Sequence, residues 1–304
     1  MIMPKSSDLL QTGGGARQGI RWCHADVTDS ARALAQAHLC GPTAALVLGE
    51  ALAGVALLSH ELTLAEETIA LHLRVRGPVQ GVVAEAARDG ALRGYTSVKI
   101  LNNLDDREEV LSAPALGDAG EAQILRSVPG RLVSRAGIDV APPSVQAAVD
   151  RYLGHSLQRT AFAVILAIPY DDGVDLARAV LVECPPGGDR REFARLRERA
   201  ADGSLAEALE MADGARGFCG ELGLPIDSLD TPLPLRFACR CSDERAQAAL
   251  AALQPDELRD MAAGGRPADI YCHMCGRHFA FEAGRLLQLA DGIGRPPPGG
   301  LPHA

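Results

Sequence analysis

The sequence predicts an α+β protein built from a mixed sheet-and-helix domain, a helical linker and a small cysteine-bearing module. In the first part, some segments alternate apolar with polar residues and others repeat apolar residues at helical spacing. The next part is rich in charge and glycine, and the last holds two close pairs of cysteines. At 304 residues the chain is long enough for about two domains.

These changes of pattern divide the chain into five segments. In order, we predict a flexible N-terminus, an α+β domain, a metastable helical linker, a cysteine-bearing module and a disordered tail: residues 1–19, 20–185, 186–234, 235–291 and 292–304.

Composition and charge narrow the classes of partner. A formal net charge of −9 repels phosphate backbones and anionic membranes, so we expect no nucleic-acid and no membrane partner. The longest apolar tract, Thr43 to Leu58, is interrupted by Glu50 and is shorter than the roughly 20 residues of a membrane span. We therefore predict a buried core helix there. The N-terminus lacks an apolar signal-peptide core, and we expect a cytoplasmic protein.

The first domain combines helical and strand patterns. Apolar residues recur with helical spacing over residues 29–39. Residues 68–75 alternate, which predicts a strand that places His72 on its solvated face. Asp89-Gly90 predicts a hairpin turn, because glycine accepts the positive φ angle that tight turns need.

The second half of this domain is less uniform. Residues 101–139 are weakly patterned and stay unassigned. A helix is predicted after Pro143, with one apolar face formed by Val145, Ala148, Val149, Tyr152 and Leu153. The continuous apolar run at residues 161–169 predicts a central strand, and Asp172-Gly173 predicts a turn into another strand.

The linker, residues 186–234, is helix-prone, but glycines break it into short pieces. Isolated helices of that length are marginal in water. We therefore predict a segment that is folded only while it is held against a neighbour. An ordinary helical subdomain is the equally open alternative.

The four clustered cysteines predict a metal site. Cys239 and Cys241 are separated by one residue, and Cys272 and Cys275 by two. An extended strand would place the first two sulfurs on one side, and Gly276 permits the tight turn that closes the second pair. Four thiolates fill the tetrahedral coordination of zinc, so we predict one Zn²⁺ per chain.

The rest of the module supports this prediction. Ser242 is placed to cap a helix, Pro255 to open a second one, and short strands flank the second cysteine pair. A module of this size needs a staple such as metal to be stable. His273 and His278 are expected at the surface or around the ligands rather than as ligands. The scattered cysteines are expected to be buried small apolar groups: Cys23, Cys40, Cys184 and Cys219.

The same four thiols also permit redox chemistry, because zinc holds them as oxidisable thiolates and each pair is close enough to form a disulfide. The spacing by itself favours a static structural zinc site over a switch. A static module that recruits a protein or nucleic-acid partner is one alternative. An enzyme is a weaker one, since four thiolates leave no open zinc position and we find no catalytic triad or nucleotide loop. A thioredoxin-like context for the CxxC pair is also absent.

The sequence "RFACRCSDERAQAALAALQPDELRDMAAGGRPADIYCHMCGRHFAF" resembles the C-terminal end of the heat shock protein 33 family of redox-regulated chaperones. "RGPVQGVVAEAARDGALRGYTS" and "PTAALVLGEALAGVALL" resemble its N-terminal strands and first buried helix more loosely.

This resemblance implies a stress-response holdase that is inactive while reduced and zinc-bound. Cys239, Cys241, Cys272 and Cys275 would be both the zinc ligands and the redox-active thiols. The implied disulfides are Cys239–Cys241 and Cys272–Cys275. Their formation would release zinc, unfold the linker and expose apolar surface in residues 20–185. The oxidised protein would form a homodimer and hold unfolded clients without ATP or catalysis.

Overall fold

The computed structural model describes residues 7–15, 19–170, 173–224 and 228–292. The chain divides into two compact units, Met1–Cys239 and Arg240–Ala304. Each unit combines strands and helices, which confirms the predicted α+β class.

The elements are numbered in chain order. The first unit begins with β1 (Leu9–Gly14), β2 (Arg21–Asp26), α1 (Thr28–His38), α2 (Pro42–Ser59), β3 (Thr68–Val75), β4 (Gly81–Ala87), β5 (Ala91–Thr96), α3 (Asn102–Asp105) and α4 (Ser112–Leu116). It continues with β6 (Gly120–Val128), β7 (Arg131–Val140), α5 (Val145–Arg151) with a following π-helical turn (Tyr152–Ser156), β8 (Ala161–Tyr170) and β9 (Gly173–Glu183). It ends with α6 (Arg190–Ala201), α7 (Ser204–Met211), α8 (Gly214–Leu222), β10 (Ser228–Leu229), β11 (Leu233–Pro234) and β12 (Arg236–Phe237). The second unit contains α9 (Asp243–Leu250), α10 (Pro255–Ala263), β13 (Ala268–Tyr271), β14 (His278–Phe281) and α11 (Ala283–Gly292).

Two sheets frame the first unit. Sheet A has the strand order β10-β1-β2-β9-β8, and β11 also pairs with β1. Sheet B has the order β12-β5-β4-β3-β6-β7. The pairs in both sheets are antiparallel, with the exception of β12 and β5, which run parallel.

Helix α2 packs against strands of both sheets and forms the centre of the main core. It is long and apolar enough to cross a membrane by length and composition, but 89% of that stretch is buried inside the protein. The prediction of a buried core helix is therefore confirmed. Gly54 allows close packing here, because a Cβ at this position would lie 2.8 Å from Cγ1 of Val145.

Several predicted elements are found where the pattern places them. Residues 29–39 correspond to α1 and residues 68–75 to β3. The predicted hairpin joins β4 and β5, and its Gly90 has a φ of +83°. His72 is half-buried instead of solvated, because β4 and β6 flank β3 on both sides, and burial lowers its pKa.

The predicted helix after Pro143 is also present. It begins at Val145 with Ser144 as its N-cap, whose hydroxyl accepts from Ala147 N at 3.0 Å. Each of the five residues of the predicted apolar face is buried: Val145, Ala148, Val149, Tyr152 and Leu153.

Two predictions about strands are corrected, and one unassigned segment is resolved. Leu9–Gly14, within the segment predicted to be flexible, forms strand β1, while residues 1–6 and 16–18 lie outside the described residues. Strand β8 is at the edge of sheet A rather than at its centre. Its continuous apolar run reflects cover on both faces, from α2 and α5 on one side and α7 on the other. The unassigned residues 101–139 contain β6 and all of β7 but its last residue.

The sequence pattern does not predict strand β7, because β7 is an edge strand that is largely exposed on both faces. Leu132 and Val133 are both exposed, so apolar residues do not alternate with polar ones. The predicted turn at Asp172-Gly173 falls partly outside the described residues, since Asp172 is not among them. Gly173 begins β9 and pairs with Tyr170 of β8.

Helices α6 to α8, from the predicted linker, cover the outer face of sheet A and form a second core. The large buried side chains of the sheet in this core are Ile20, Trp22, Phe162, Val164, Val180 and Val182. Those of the helices are Phe193, Leu196, Leu205, Leu209, Phe218 and Leu222. The helical content of residues 186–234 agrees with the sequence pattern, while its metastability stays a prediction.

The second unit has a small core of its own, formed by α9 to α11 and the β13–β14 hairpin. Ser242 caps α9 by accepting from Arg245 N at 3.3 Å, and Pro255 opens α10, both as predicted. Helix α11 was not predicted, and its last residue, Gly292, was assigned to the tail. Residues 293–304 lie outside the described residues.

Candidate metal centre

The structure brings the four clustered cysteines together. The sulfur atoms of Cys239, Cys241, Cys272 and Cys275 all lie within 4.8 Å of one another. Sγ of Cys241 and Sγ of Cys275 are 3.4 Å apart. Sulfurs bound tetrahedrally to zinc are separated by roughly 3.8 Å, so this cluster has the size and donor chemistry to hold a metal ion of that kind.

The second cysteine pair is held in a turn of hydrogen-bonded backbone. Gly276 N donates to Cys272 O at 2.8 Å, and Cys275 N donates to the same oxygen at 3.3 Å. Gly276 has a φ of +71°, which confirms that glycine closes the turn in the left-handed conformation. Cys272 N donates to Arg277 O at 2.9 Å and ties the turn to the β13–β14 hairpin.

The first pair is placed differently from the prediction. Strand β12 ends at Phe237, so Cys239 and Cys241 follow the strand instead of lying within it. Backbone pairing holds the segment just before Cys239, because Arg236 N donates to Gly90 O at 2.9 Å and Ala238 N to a β5 carbonyl at 3.0 Å.

A basic side chain of sheet B contacts the first sulfur. Nη1 of Arg93 on β5 lies 3.9 Å from Sγ of Cys239. The same guanidinium pairs with Glu85, whose Oε1 accepts from Nε at 2.9 Å and lies 2.7 Å from Nη2. Burial by itself lowers the pKa of Arg93, but the Glu85 carboxylate and the Cys239 sulfur raise it overall.

Both nearby histidines are exposed, as predicted, and neither belongs to the sulfur cluster. His278 Nε2 lies 2.6 Å from Oδ1 of Asp269, and its ring stacks on Tyr271 with centroids 4.6 Å apart.

The scattered cysteines are buried, which confirms the prediction for Cys23, Cys40, Cys184 and Cys219. Burial raises the pKa of Cys219 to about 12 and also raises the pKa of Cys23. These two thiols are therefore protonated and poorly reactive in the folded protein.

Polar groups also fasten the helices that cover sheet A. Arg178 of β9 pairs with Asp26 at 2.7 Å, and its Nη1 donates to carbonyls at the end of α7, including Ala212 O at 2.9 Å. His24 of β2 is 2% exposed and lies under α8, with its ring centroid 5.8 Å from that of Phe218. Burial lowers the pKa of His24 to about 4, so the ring is neutral near pH 7.

The first unit also contains a cleft of about 900 Å³. Glu61 in this cleft is paired, since its Oε2 accepts from Arg159 at 2.6 Å and its Oε1 lies 2.7 Å from His60. The His60 hydrogen bond, opposed by burial and helped by Arg159, lowers the pKa of Glu61 to about 2. Such an ionised, fully paired carboxylate is suited to a structural role and not to general acid–base work.

No sequence pattern predicts the contacts made by Arg93, Arg178 and His24. Arg93 is 146 positions from Cys239 in the chain, and only the pairing of β5 with β12 brings them together. For His24, its place on the strand face that carries Trp22 was a usable signal for burial under a covering layer.

Comparisons with known proteins agree with this architecture. A family model described as Hsp33 protein matches residues 8–282. The 33 kDa chaperonin of Thermus thermophilus is 28% identical over 95% of this chain and 87% of its own length. That of Synechocystis is 27% identical over 95% of this chain and 98% of its own. The solved structure of the 33 kDa chaperonin from Thermotoga maritima superposes with a TM-score of 0.85 at 20% identity, covering 94% of this chain and 99% of that one.

Proposed function

This chain belongs to the Hsp33 family, and from that premise we propose that it is a redox-regulated chaperone that holds unfolding proteins without ATP. Its relatives are named chaperonins, a non-enzymatic family, and membership makes this chain a chaperone. The finer proposal concerns the switch. The observation that carries it is the cluster of four sulfurs within 4.8 Å of one another.

In the reduced state, we propose that Cys239, Cys241, Cys272 and Cys275 bind one Zn²⁺ as thiolates. Zinc bound there would supply folding energy to residues 240–292, whose own core is small. Peroxide would then oxidise the thiolates to the disulfides Cys239–Cys241 and Cys272–Cys275. Each disulfide takes two electrons from two thiolates and reduces one peroxide molecule to two hydroxide ions. All four ligands are consumed in this way.

The second core supports a route by which loss of the ligands would lead to chaperone activity. Helices α6 to α8 immediately precede Cys239 in the chain and cover an apolar face of sheet A. These helices are short, with α7 spanning Ser204–Met211, so they depend on docking for their stability. Undocking would expose Trp22 and Phe162 together with their apolar neighbours, a surface suited to unfolded proteins.

The proposed partners are unfolded client proteins, bound by a homodimer of the oxidised chain in the cytoplasm during stress. The acidic net charge of −9 favours protein clients over nucleic acid.

The test compares reduced, zinc-loaded protein with protein treated with peroxide. Zinc content, zinc release, linker opening by hydrogen exchange and suppression of client aggregation are followed in the same samples. We expect about one zinc per chain before oxidation, and release of zinc together with opening of residues 190–222 afterwards. The oxidised sample alone should suppress aggregation. A matched variant with serine at Cys272 and Cys275 tests whether these thiols carry the response.

Equal chaperone activity in both samples, with zinc retained, would instead support a static zinc module. Less than half an equivalent of zinc on the reduced protein would remove the metal site from the proposal.

A further inference from the structure

Strand β12 brings the chain to Cys239 in a fixed position beside β5. Parallel pairing places Phe237 opposite Leu92. Ala238 N then donates to the carbonyl oxygen of Leu92 at 3.0 Å. Cys239 follows Ala238 in one segment, and Arg93 follows Leu92 in the other. This pairing therefore places the backbone at Cys239 beside the strand that carries Arg93.

The Arg93 guanidinium is also held from its other side. Glu85 lies opposite Arg93 on β4 and accepts from its Nε at 2.9 Å. The two side chains are only 21% and 17% exposed, so water screens them little. A carboxylate on β4, a guanidinium on β5 and a sulfur just past the end of β12 thus lie side by side, with Nη1 of Arg93 at 3.9 Å from Cys239 Sγ. Arginine keeps its charge at every accessible pH, so the group beside the sulfur is a cation throughout that range.

We infer that Arg93 is a positioning residue of the thiolate centre, which withdraws electron density from the Cys239 sulfur and slows its oxidation. This inference rests on the proposed redox function and names a regulator of that same site. A charge-assisted hydrogen bond stabilises the negative charge on the sulfur and so makes the sulfur a weaker nucleophile. If about half of that stabilisation is lost on the way to the transition state, attack on peroxide is slowed by about 3- to 10-fold.

The step under control is a two-electron oxidation. The Cys239 thiolate attacks one oxygen of hydrogen peroxide, an S–O bond forms, the O–O bond breaks and hydroxide leaves. A second thiolate then displaces hydroxide from the sulfenic acid and forms the disulfide. Arg93 exchanges neither protons nor electrons. Its hydrogen bond is strongest to the charged thiolate and weakens as charge moves onto oxygen, which raises the barrier of the first step.

The test uses the full-length, reduced, zinc-loaded protein in four forms: wild type, Arg93→Met, Arg93→Lys and Arg236→Ala. Each is exposed to hydrogen peroxide and quenched with an alkylating reagent, and oxidation is measured at every cysteine by mass spectrometry. Arg236 is the matched control, because it pairs with Asp89 at 2.6 Å on the same hairpin but is largely exposed. Exposed ion pairs contribute little to stability.

Arg93→Met should speed oxidation at Cys239 by about 3- to 10-fold, and Arg236→Ala should match the wild type. Arg93→Lys should give an increase of about twofold or more, because an ammonium cannot reproduce the fork that contacts both Glu85 and the sulfur. A wild-type or slower rate at Cys239 in Arg93→Met overturns the inference. If Arg93→Met loses zinc before oxidant is added, the oxidation rate at Cys239 in Arg93→Lys is used instead. A wild-type or slower rate in that variant then overturns the inference.

The proposed function and this inference fail differently. Wild-type protein that holds no zinc, or that keeps it in peroxide, overturns both. Wild-type protein that releases zinc as proposed, with Arg93 variants oxidised at the same rate, overturns only the role of Arg93.

Discussion

Replacement of Phe218 with alanine is expected to undock the helices that cover sheet A. Phe218 has no exposed surface and packs in the second core beside Cys219. Loss of a buried phenylalanine ring costs about 3–5 kcal/mol. Each 1.36 kcal/mol changes an equilibrium tenfold, so opening of α8 should become at least about 100-fold more frequent.

Cys219 makes this opening measurable. Burial raises its pKa to about 12 from an ordinary value of 9.0, so the docked thiol is labelled about a thousand times more slowly than an undocked one. The assay is the rate of alkylation at Cys219, read by mass spectrometry on reduced protein at pH 8. Phe218→Ala should raise this rate at least about 100-fold until it reaches the rate of an exposed thiol.

Two controls make the result interpretable. Met211 of α7 is 76% exposed, so Met211→Ala should leave labelling of Cys219 within about twofold of the wild type. Cys23 lies in the main core and should stay protected in every variant. Wild-type labelling of Cys219 in Phe218→Ala would refute docking through this core. Equal acceleration at Cys23 and Cys219 would refute separate opening of the covering helices.

Three further predictions concern the same switch. The pKa of His24 falls to about 4 on burial. The neutral ring therefore contributes fully to docking above its ordinary pKa of 6.5, and this contribution is lost as the pH falls towards 4. Opening of residues 190–222 should therefore rise about 20-fold from pH 7 to pH 5 in hydrogen exchange corrected for intrinsic rates, and a flat profile would contradict this. Arg178→Met removes donors to Asp26 and to Ala212 O, at a cost of about 2–3 kcal/mol, and should raise proteolysis within residues 190–222 more than tenfold. Wild-type cleavage would show that these bonds do not hold the helices. Chelation of metal under reducing conditions should remove the helical signal of residues 240–292, and retention of that signal would show that their core suffices alone.

Local patterns determined much of the fold in advance. The alternation in residues 68–75 and the helical spacing in 29–39 depend only on which way successive side chains point, and both elements are present. Position within a sheet is not encoded in this way. An apolar run such as residues 161–169 indicates that both faces of the strand are covered, but it does not indicate which strands lie beside it. The prediction of a central strand was therefore wrong, and β8 is an edge strand.

The candidate metal centre also has features that follow from the sequence and features that depend on the tertiary structure. The sequence by itself predicted which four thiols converge, and Gly276 closes the turn of the second pair as expected. The strand expected to carry Cys239 and Cys241 ends at Phe237, so the placement of the first pair was not determined in this way. Only the tertiary structure decided what surrounds them. Arg93 lies 146 positions from Cys239 in the chain and contacts it through the parallel pairing of β5 with β12, and long-range pairing of this kind depends on the packing of the whole sheet. The cover over sheet A was likewise decided by tertiary packing, since short helices acquire a fixed place only from the surface they bury.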